Sequence, residues 1–332
     1  MGAAGALGLA QNRRAILLMG PTGSGKSDLA MRLAEALPLE IVSVDSALVY
    51  RGMDIGTAKP SAAMRTRVPH HLIDIRDAAA NFSAGEFIRD AAAAMRDIWL
   101  RGRQPLLVGG TMLYFHALTH GIAKLPQANP DLRAAIDAQA QTLGWAALHR
   151  ELAGVDPAAA ARIHVNDPQR IQRALEVYRL TGETITSLQH KRMSAFHDVE
   201  VTEIAVAPLE RRDLHTRIEE RFGAMLSAGL VDEVRTFYER SDLTAEHPSM
   251  RAVGYRQVWR HLEGMSSLNE ARIQAIAATR QLAKRQLTWL RRRERAHWFD
   301  ALHPQVARLM IDALLKGGFT ASSGVTSQGA LC

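Results

Sequence analysis

Gly20-Pro21-Thr22-Gly23-Ser24-Gly25-Lys26-Ser27 decides the fold. It follows the apolar run Ala15-Ile16-Leu17-Leu18-Met19 and opens an amphipathic stretch from Asp28 to Leu37. Strand, glycine loop and helix in that order make a G-x-x-x-x-G-K-[ST] phosphate loop. Its glycines let backbone N–H groups converge on a polyphosphate, and the helix N-terminus adds partial positive charge. Lys26 supplies a full charge, and the Ser27 hydroxyl has the place of a Mg²⁺ ligand. The polyphosphate-binding candidates are thus Gly20, Pro21, Thr22, Gly23, Ser24, Gly25, Lys26 and Ser27, with Ser27 also the candidate metal ligand. The loop points to a diphosphate or triphosphate without saying what is done with it.

Working outward, Glu40-Ile41-Val42-Ser43-Val44 is a β-branched run read as a buried strand. It places Asp45 at a strand's carboxyl end, the edge where open α/β sheets bind ligands. A carboxylate there serves as a general base, as a partner of a hydrated Mg²⁺, or simply as a turn or cap residue. Residues 51–80 read as loop-rich. Ser83-Ala84-Gly85-Glu86 is a capping box that starts a helix to about Arg101, with Phe87, Ala91, Ala94 and Ile98 along one face. Pro105 to Thr111 is a second buried strand ending in a glycine turn. Alternation of strand and helix predicts an α/β fold with a parallel, doubly wound sheet. NTP-hydrolysing P-loop proteins usually carry an Asp on such a strand to hold Mg²⁺. Leu106 to Gly110 has none. This disfavours a motor and leaves a small-molecule kinase open.

From Lys124 to Gln189 strand-like runs vanish, and Asn129-Pro130, Asp156-Pro157 and Asp167-Pro168 each set a capping side chain before a first-turn proline. This is an all-helical insertion. Its last helix, Pro168 to Thr181, is expected to bury Ile171, Leu175 and Tyr178 and to offer Gln169, Arg170 and Arg173 at its start. Val199 to Val206 returns to strand character, and Leu209 to Ala228 is a helix on which Arg217 and Arg221 lie four apart, placed to clamp a diphosphate or to pair with Glu220 and its neighbours. A long helix spans about Leu268 to Arg293. From Arg280 to Arg295 it carries seven basic residues, one acid and Trp289. Cations favoured at a helix C-terminus explain two or three of these. Cations interleaved with an aromatic fit a nucleic-acid surface, through phosphate contacts and base stacking.

Bulk properties narrow the class. The chain has 332 residues, 47% hydrophobic and 23% charged, enough for a sizeable core. Its net charge of +7 hints at an anionic partner. The single cysteine, Cys332, excludes a disulfide framework and a cysteine metal site. His70-His71, with no third ligand nearby, reads as structural. No apolar run approaches the ~18 residues of a membrane span, and Arg13-Arg14 follow the small apolar N-terminal residues, the reverse of a signal peptide. A cytoplasmic location without membrane association is the expectation.

The chain resembles the bacterial tRNA dimethylallyltransferases, the tRNA isopentenyltransferase or IPP transferase family, from about Arg14 to Asp300. The words that carry the resemblance are the phosphate loop, Val44-Asp45-Ser46-Ala47-Leu48-Val49-Tyr50-Arg51-Gly52-Met53-Asp54-Ile55-Gly56-Thr57-Ala58-Lys59-Pro60, Val108-Gly109-Gly110-Thr111-Met112-Leu113-Tyr114, Asn166-Asp167-Pro168-Gln169-Arg170, Arg251-Ala252-Val253-Gly254-Tyr255-Arg256 and Lys284-Arg285-Gln286-Leu287-Thr288-Trp289-Leu290-Arg291.

The resemblance implies transfer of a dimethylallyl group from dimethylallyl diphosphate to N6 of the adenine 3′ of the anticodon, in tRNAs reading codons that start with U. It implies a P-loop, nucleotide-kinase-like sheet over 13–123 and 199–316 and a helical insertion, 124–198, that grips the anticodon stem-loop. Residues 1–12 are expected to form a flexible arm and 317–332 a disordered tail. It also implies Mg²⁺ as cofactor, a monomer, and Asp45, Thr111 and Arg221 as catalytic residues. The tRNA contacts it implies are Asp45, Ser46, Ala47, Leu48, Thr111, Arg133, Gln169, Arg170, Ile171, Gln172 and Arg173, then Arg251, Ala252, Val253, Gly254, Tyr255 and Arg256, then Lys284, Arg285, Gln286, Leu287, Thr288, Trp289, Leu290 and Arg291. A diphosphate leaving group needs no hydrolytic carboxylate, which accounts for the bare 106–110 strand. The alternative is a P-loop nucleoside or nucleotide kinase.

Overall fold

A computed structural model of the chain describes residues 13–123, 125–190, 196 and 198–316. The expected arm and tail lie outside the described residues, as does Lys124, where the insertion was expected to begin. The chain divides into two compact units. One is built from the described residues of Met1–His116 and Asp198–Cys332, the other from those of Ala117–His197.

The first unit begins with β1 (Arg13–Met19), buried from Ala15 onward. Ile16 and Leu18 join the core under the first helix, while Leu17 and Met19 are buried on the opposite face. Cover on both faces is why the run is continuously apolar. Gly25, at φ 85°, turns the chain into α1 (Lys26–Ala36) in a conformation that a Cβ would strain. Then come β2 (Leu39–Val44), α2 (Ala62–Arg67) and the two-residue strand β3 (His70–His71). The region expected to be loop-rich thus holds a short helix and an edge strand, and His70-His71 is structural, with His71 bonded to the buried Glu40 at 2.7 Å. Helix α3 (Ala84–Leu100) starts at the Ser83–Glu86 capping box and buries Met95 rather than Ala94 beside Phe87, Ala91 and Ile98. Strand β4 (Gln104–Gly109) leads into α4 (Met112–His120).

The second unit continues with α5 (Pro130–Leu143), α6 (Trp145–Val155), α7 (Pro157–Arg162), α8 (Pro168–Thr181) and α9 (Ile185–His190). All three capping signals operate. Asn129 accepts from Leu132 N at 3.0 Å, Asp156 from Ala159 N at 3.0 Å and Asp167 from Arg170 N at 3.2 Å. The small core gathers Ile136, Leu148, Leu152, Ile171 and Leu175, while Tyr178 is only half-buried.

The chain then completes the first unit with β5 (Val199–Ala207), α10 (Arg211–Ser227), α11 (Leu230–Tyr238), α12 (Tyr255–Leu262), α13 (Leu268–Leu290), β6 (His297–Asp300) and α14 (Val306–Leu315). The six strands form one parallel sheet in the order β3-β2-β4-β1-β5-β6. One core lies between this sheet and α1 and α14. A second lies among α10 to α13 and the segment after β2. Register aligns three strand ends: Met19 and Val44 both pair with Gly109. The phosphate loop, Asp45 and the Gly109-Gly110-Thr111 turn therefore leave the sheet side by side. Among the described residues no helix is long and apolar enough to cross a membrane.

Candidate active site

Those three strand ends open into a cleft of about 1020 Å³ in the first unit. The loop forms one wall. Ser24 N and Lys26 Nζ both donate to the Pro21 carbonyl, at 3.2 Å each. Burial drops the Lys26 pKa to about 8; the nearby Asp45 carboxylate opposes the fall and Arg221 adds to it.

Helices α10 and α13 hold the loop from outside. Arg217 Nε donates to the Gly23 carbonyl at 2.9 Å. Arg221 Nη1 lies 3.4 Å from Thr22 Oγ1, and Nη2 donates to the Thr57 carbonyl at 3.4 Å. Neither arginine pairs with Glu220. Burial lowers the Arg221 pKa, and Asp45 works against that shift. Two cations and one carboxylate thus share a desolvated site, where charge is felt more strongly than in water.

Asp45 is held by its own turn. Oδ1 accepts from Ala47 N at 2.8 Å and Leu48 N at 3.4 Å. Among the described residues nothing engages Oδ2, which leaves a lone pair for a substrate proton. Thr111 ties the neighbouring strand ends together: its N–H donates to Val44 O at 3.2 Å, and Oγ1 accepts from Ser46 N at 3.1 Å. Close approach explains the glycines here. A Cβ on Gly109 would fall 2.0 Å from Val44 O, and one on Gly110 2.4 Å from Gln286 Nε2.

Ser27 is exposed and lines the cleft. Among the described residues no group of three or more His, Cys, Asp or Glu is arranged to hold a metal. A single hydroxyl beside a phosphate loop fits a hydrated Mg²⁺ whose other ligands are water and a bound polyphosphate.

The cleft gathers Thr22, Gly23, Gly25, Lys26, Ser27, Asp45, Ser46, Ala47, Leu48, Thr111, Arg221, Arg251, Ala252, Val253, Tyr255, Arg285, Gln286 and Trp289 on its walls. It does not gather Gly20, Pro21, Ser24, Gly254, Arg256, Lys284, Leu287, Thr288, Leu290 or Arg291. Gly20, Pro21, Ser24, Gly254 and Leu290 are buried. Lys284, Thr288, Arg291 and Arg256 are exposed.

Four of the expected RNA contacts have their side chains inside the protein. Tyr255, Leu290 and Ile171 are fully buried. Gln286 is 8% exposed and spends its whole carboxamide inside the protein: Oε1 accepts from Thr22 N at 2.9 Å and Nε2 donates to Gly110 O at 2.8 Å.

In the helical unit, Gln169 and Arg170 are exposed at the start of α8. Arg133 and Arg173 instead converge on the buried Glu176, at 2.9 and 2.7 Å, and Gln172 donates to Asp137 at 2.7 Å. On α13, Arg280 pairs with Glu219 at 2.9 Å, which removes it from the free cationic face.

Two residues escaped sequence reasoning. Ser43 lies two positions before Asp45, and its buried hydroxyl lines the cleft without a partner. The two-residue period of a strand is the signal that finds it. Glu233, whose carboxylate collects the backbone N–H groups of Asp54, Ile55 and Gly56, left no local signal.

A family model described as IPP transferase matches residues 48–293. The tRNA dimethylallyltransferase of Nitrosococcus oceani is 59% identical over 86% of this chain and 91% of its own length. A crystal structure of the tRNA isopentenylpyrophosphate transferase of Bacillus halodurans is 37% identical, with a TM-score of 0.67 over 92% of this chain and 96% of that one. The counterpart from Staphylococcus epidermidis is 32% identical, with a TM-score of 0.64 over 92% and 98%. A eukaryotic dimethylallyltransferase acting on tRNA, 24% identical with a TM-score of 0.73 over 92% and 80%, shares the fold.

Proposed function

Because the chain belongs to the IPP transferase family, we propose that it is a tRNA dimethylallyltransferase that moves a dimethylallyl group from dimethylallyl diphosphate to an adenine of tRNA. The observation that carries the reading is one cleft walled by a phosphate loop, by a free carboxylate oxygen of Asp45 and by the cationic helix α13. The acceptor is N6 of the adenine 3′ of the anticodon in tRNAs for codons beginning with U, presented by the anticodon stem-loop. The kinase alternative is not favoured by these relatives, and a small acceptor has no use for the exposed cations of α13.

The adenine N6 lone pair is delocalised into the ring, so the amine is a poor nucleophile. In the proposed step N6 forms a bond to the allylic carbon as that carbon's bond to the diphosphate oxygen breaks. The bonding pair leaves with diphosphate, and the N6 proton passes to Asp45 Oδ2, which is general-base work. The carbon gains positive charge and the leaving group negative charge. Lys26, Arg221, the loop N–H groups and Thr111 stabilise the negative charge developing on the diphosphate without reorganising. Ser27 and the donor's own oxygens would hold Mg²⁺, which supplies Lewis-acid neutralisation of the diphosphate. The adenine leaves its stack to reach Asp45, at a cost of about a few kcal/mol. Cations on α13, with Arg251 and Arg256, hold the RNA.

The test is incubation with labelled dimethylallyl diphosphate, Mg²⁺ and unmodified tRNA. Label on that adenine supports the reading. Label released only as a free alcohol, or transferred to no RNA, ends it.

A further inference from the structure

Gln286 sits on α13 between two residues that line the cleft beside it, Arg285 and Trp289, yet its side chain turns inward. Its carboxamide joins two loops that carry different halves of the chemistry. Oε1 takes the N–H of Thr22, in the donor loop. Nε2 gives to the carbonyl of Gly110, whose next residue, Thr111, holds Ser46 beside Asp45. The fit is close on both sides. A Cβ on Gly110 would collide with Nε2 at 2.4 Å, and the same turn already meets the donor loop through Gly20 N and Gly109 O at 3.3 Å. A carboxamide accepts at one end and donates at the other without carrying a charge.

We propose that Gln286 is a positioning residue that holds the diphosphate loop in register with the Thr111–Asp45 side of the cleft. The proposal rests on the transferase reading above. Attack of N6 on the allylic carbon needs the loop that holds the leaving group and the carboxylate that takes the proton to keep one separation. The Gln286 side chain hydrogen-bonds both loop systems. Its removal should leave each substrate able to bind and spoil their mutual alignment, where a displacement of about 1 Å costs on the order of 10²-fold in rate. A residue that merely touched RNA would behave in the opposite way.

The experiment measures single-turnover transfer and the affinities for tRNA and inorganic diphosphate in the wild type, Gln286→Ala and Gln286→Glu, with thermal melts of each. For Gln286→Ala the expected result is a rate about 10²-fold lower at saturating substrates, with both affinities within about threefold of wild type. Gln286→Glu tests the bridge by a second route. The introduced carboxyl, when ionised, accepts from Thr22 N–H but presents an acceptor to the Gly110 carbonyl. When protonated it donates there and restores the bridge. The ratio of the variant's rate to the wild-type rate should therefore rise as pH falls from 8 to 5.5. The other charged and titratable groups lining the cleft, Lys26, Asp28, Asp45, Lys59, His70, Arg217, Glu220, Arg221, Arg251 and Arg285, are common to both proteins, so the ratio reports what the introduced carboxyl adds to their shared titration.

A Gln286→Ala variant with wild-type turnover, one that loses tRNA affinity while keeping turnover at saturation, or a ratio flat with pH overturns the inference alone. A wild-type protein that transfers no label to tRNA overturns the reading beneath it as well.

Discussion

The carboxylate of Glu233, on α11, accepts the phenolic hydrogen of Tyr255, at the first position of α12. The same carboxylate takes the N–H groups of Asp54 at 2.9 Å, Ile55 at 2.7 Å and Gly56 at 3.0 Å. Burial, and then the Glu233 charge, hold the phenol protonated by raising its pKa. One half-buried anion thus pins the segment whose next carbonyl, on Thr57, receives Arg221.

Removing the two partners should have unequal effects. Tyr255→Phe loses one hydrogen bond to a charged group, about 1.5–3 kcal/mol. Glu233→Ala leaves three N–H groups and a phenol unsatisfied, each costing about 1–3 kcal/mol where water cannot reach it. Denaturant unfolding should place Glu233→Ala well below Tyr255→Phe, and equal midpoints would remove the carboxylate from its pinning role.

Asp45→Asn separates basicity from shape. The amide oxygen still accepts from Ala47 and Leu48, so the turn survives, but nothing remains to take the N6 proton. Transfer should fall by about 10²–10⁴-fold, the usual worth of a general base. The dissociation constant for tRNA should hold within about twofold, measured by filter binding. Loss of affinity matching the loss of rate would make Asp45 a binding residue.

Lys26 gives a pH signature. With its pKa lowered to about 8, the free protein holds an ionised Lys26 below pH 8 and a neutral one above. A bound diphosphate favours the ammonium and raises that pKa. Binding should therefore take up close to one proton at about pH 9 and almost none at about pH 6.5. Calorimetry in buffers of different ionisation enthalpy reads this directly. The affinity for diphosphate should weaken as pH climbs through 8, and Lys26→Met should abolish both effects.

What could be read from the chain divides by range. The phosphate loop, the Ser83 cap and the Asn129, Asp156 and Asp167 caps are local devices, and each stands where its residues indicate. Asp45 was legible because a strand's carboxyl end is a topological position. The inward turn of Gln286 leaves no local signal among its cationic neighbours, because it follows from contacts to Thr22 and Gly110, 264 and 176 residues away in the chain. Glu233 was invisible for the same reason, since its partners at Asp54 to Gly56 lie about 180 residues earlier. Helices α11, α12 and α14 went unread because short helices take their stability from packing more than from pattern.

The cations that remain free on α13 should dominate the salt dependence of RNA binding. Lys284 and Arg285 are exposed, and among the described residues no ion pair occupies them. Arg133 and Arg173 differ, for both are bound to Glu176, whose side chain is wholly buried. Burial raises the Glu176 pKa, but the bonds from those arginines and from Asn129 N–H more than reverse it, so the carboxylate stays ionised. Lys284→Ala and Arg285→Ala should each weaken tRNA binding and lower the slope of log K against log salt by about 0.7–0.9, one released counterion apiece, with no change in melting temperature. Arg133→Ala should strip one of two arginines from a buried charge and destabilise the helical unit by about 1–3 kcal/mol, because Arg173 and the Asn129 N–H still hold the carboxylate. That stabilisation comes from a depressed carboxylate pKa, so it is present near neutrality and lost as pH falls below the ordinary glutamate range. Salt titrations and acid melts on the same three variants separate the two kinds of arginine. An Arg133→Ala protein with an unchanged melt and a reduced salt slope would move Arg133 from the scaffold to the RNA surface.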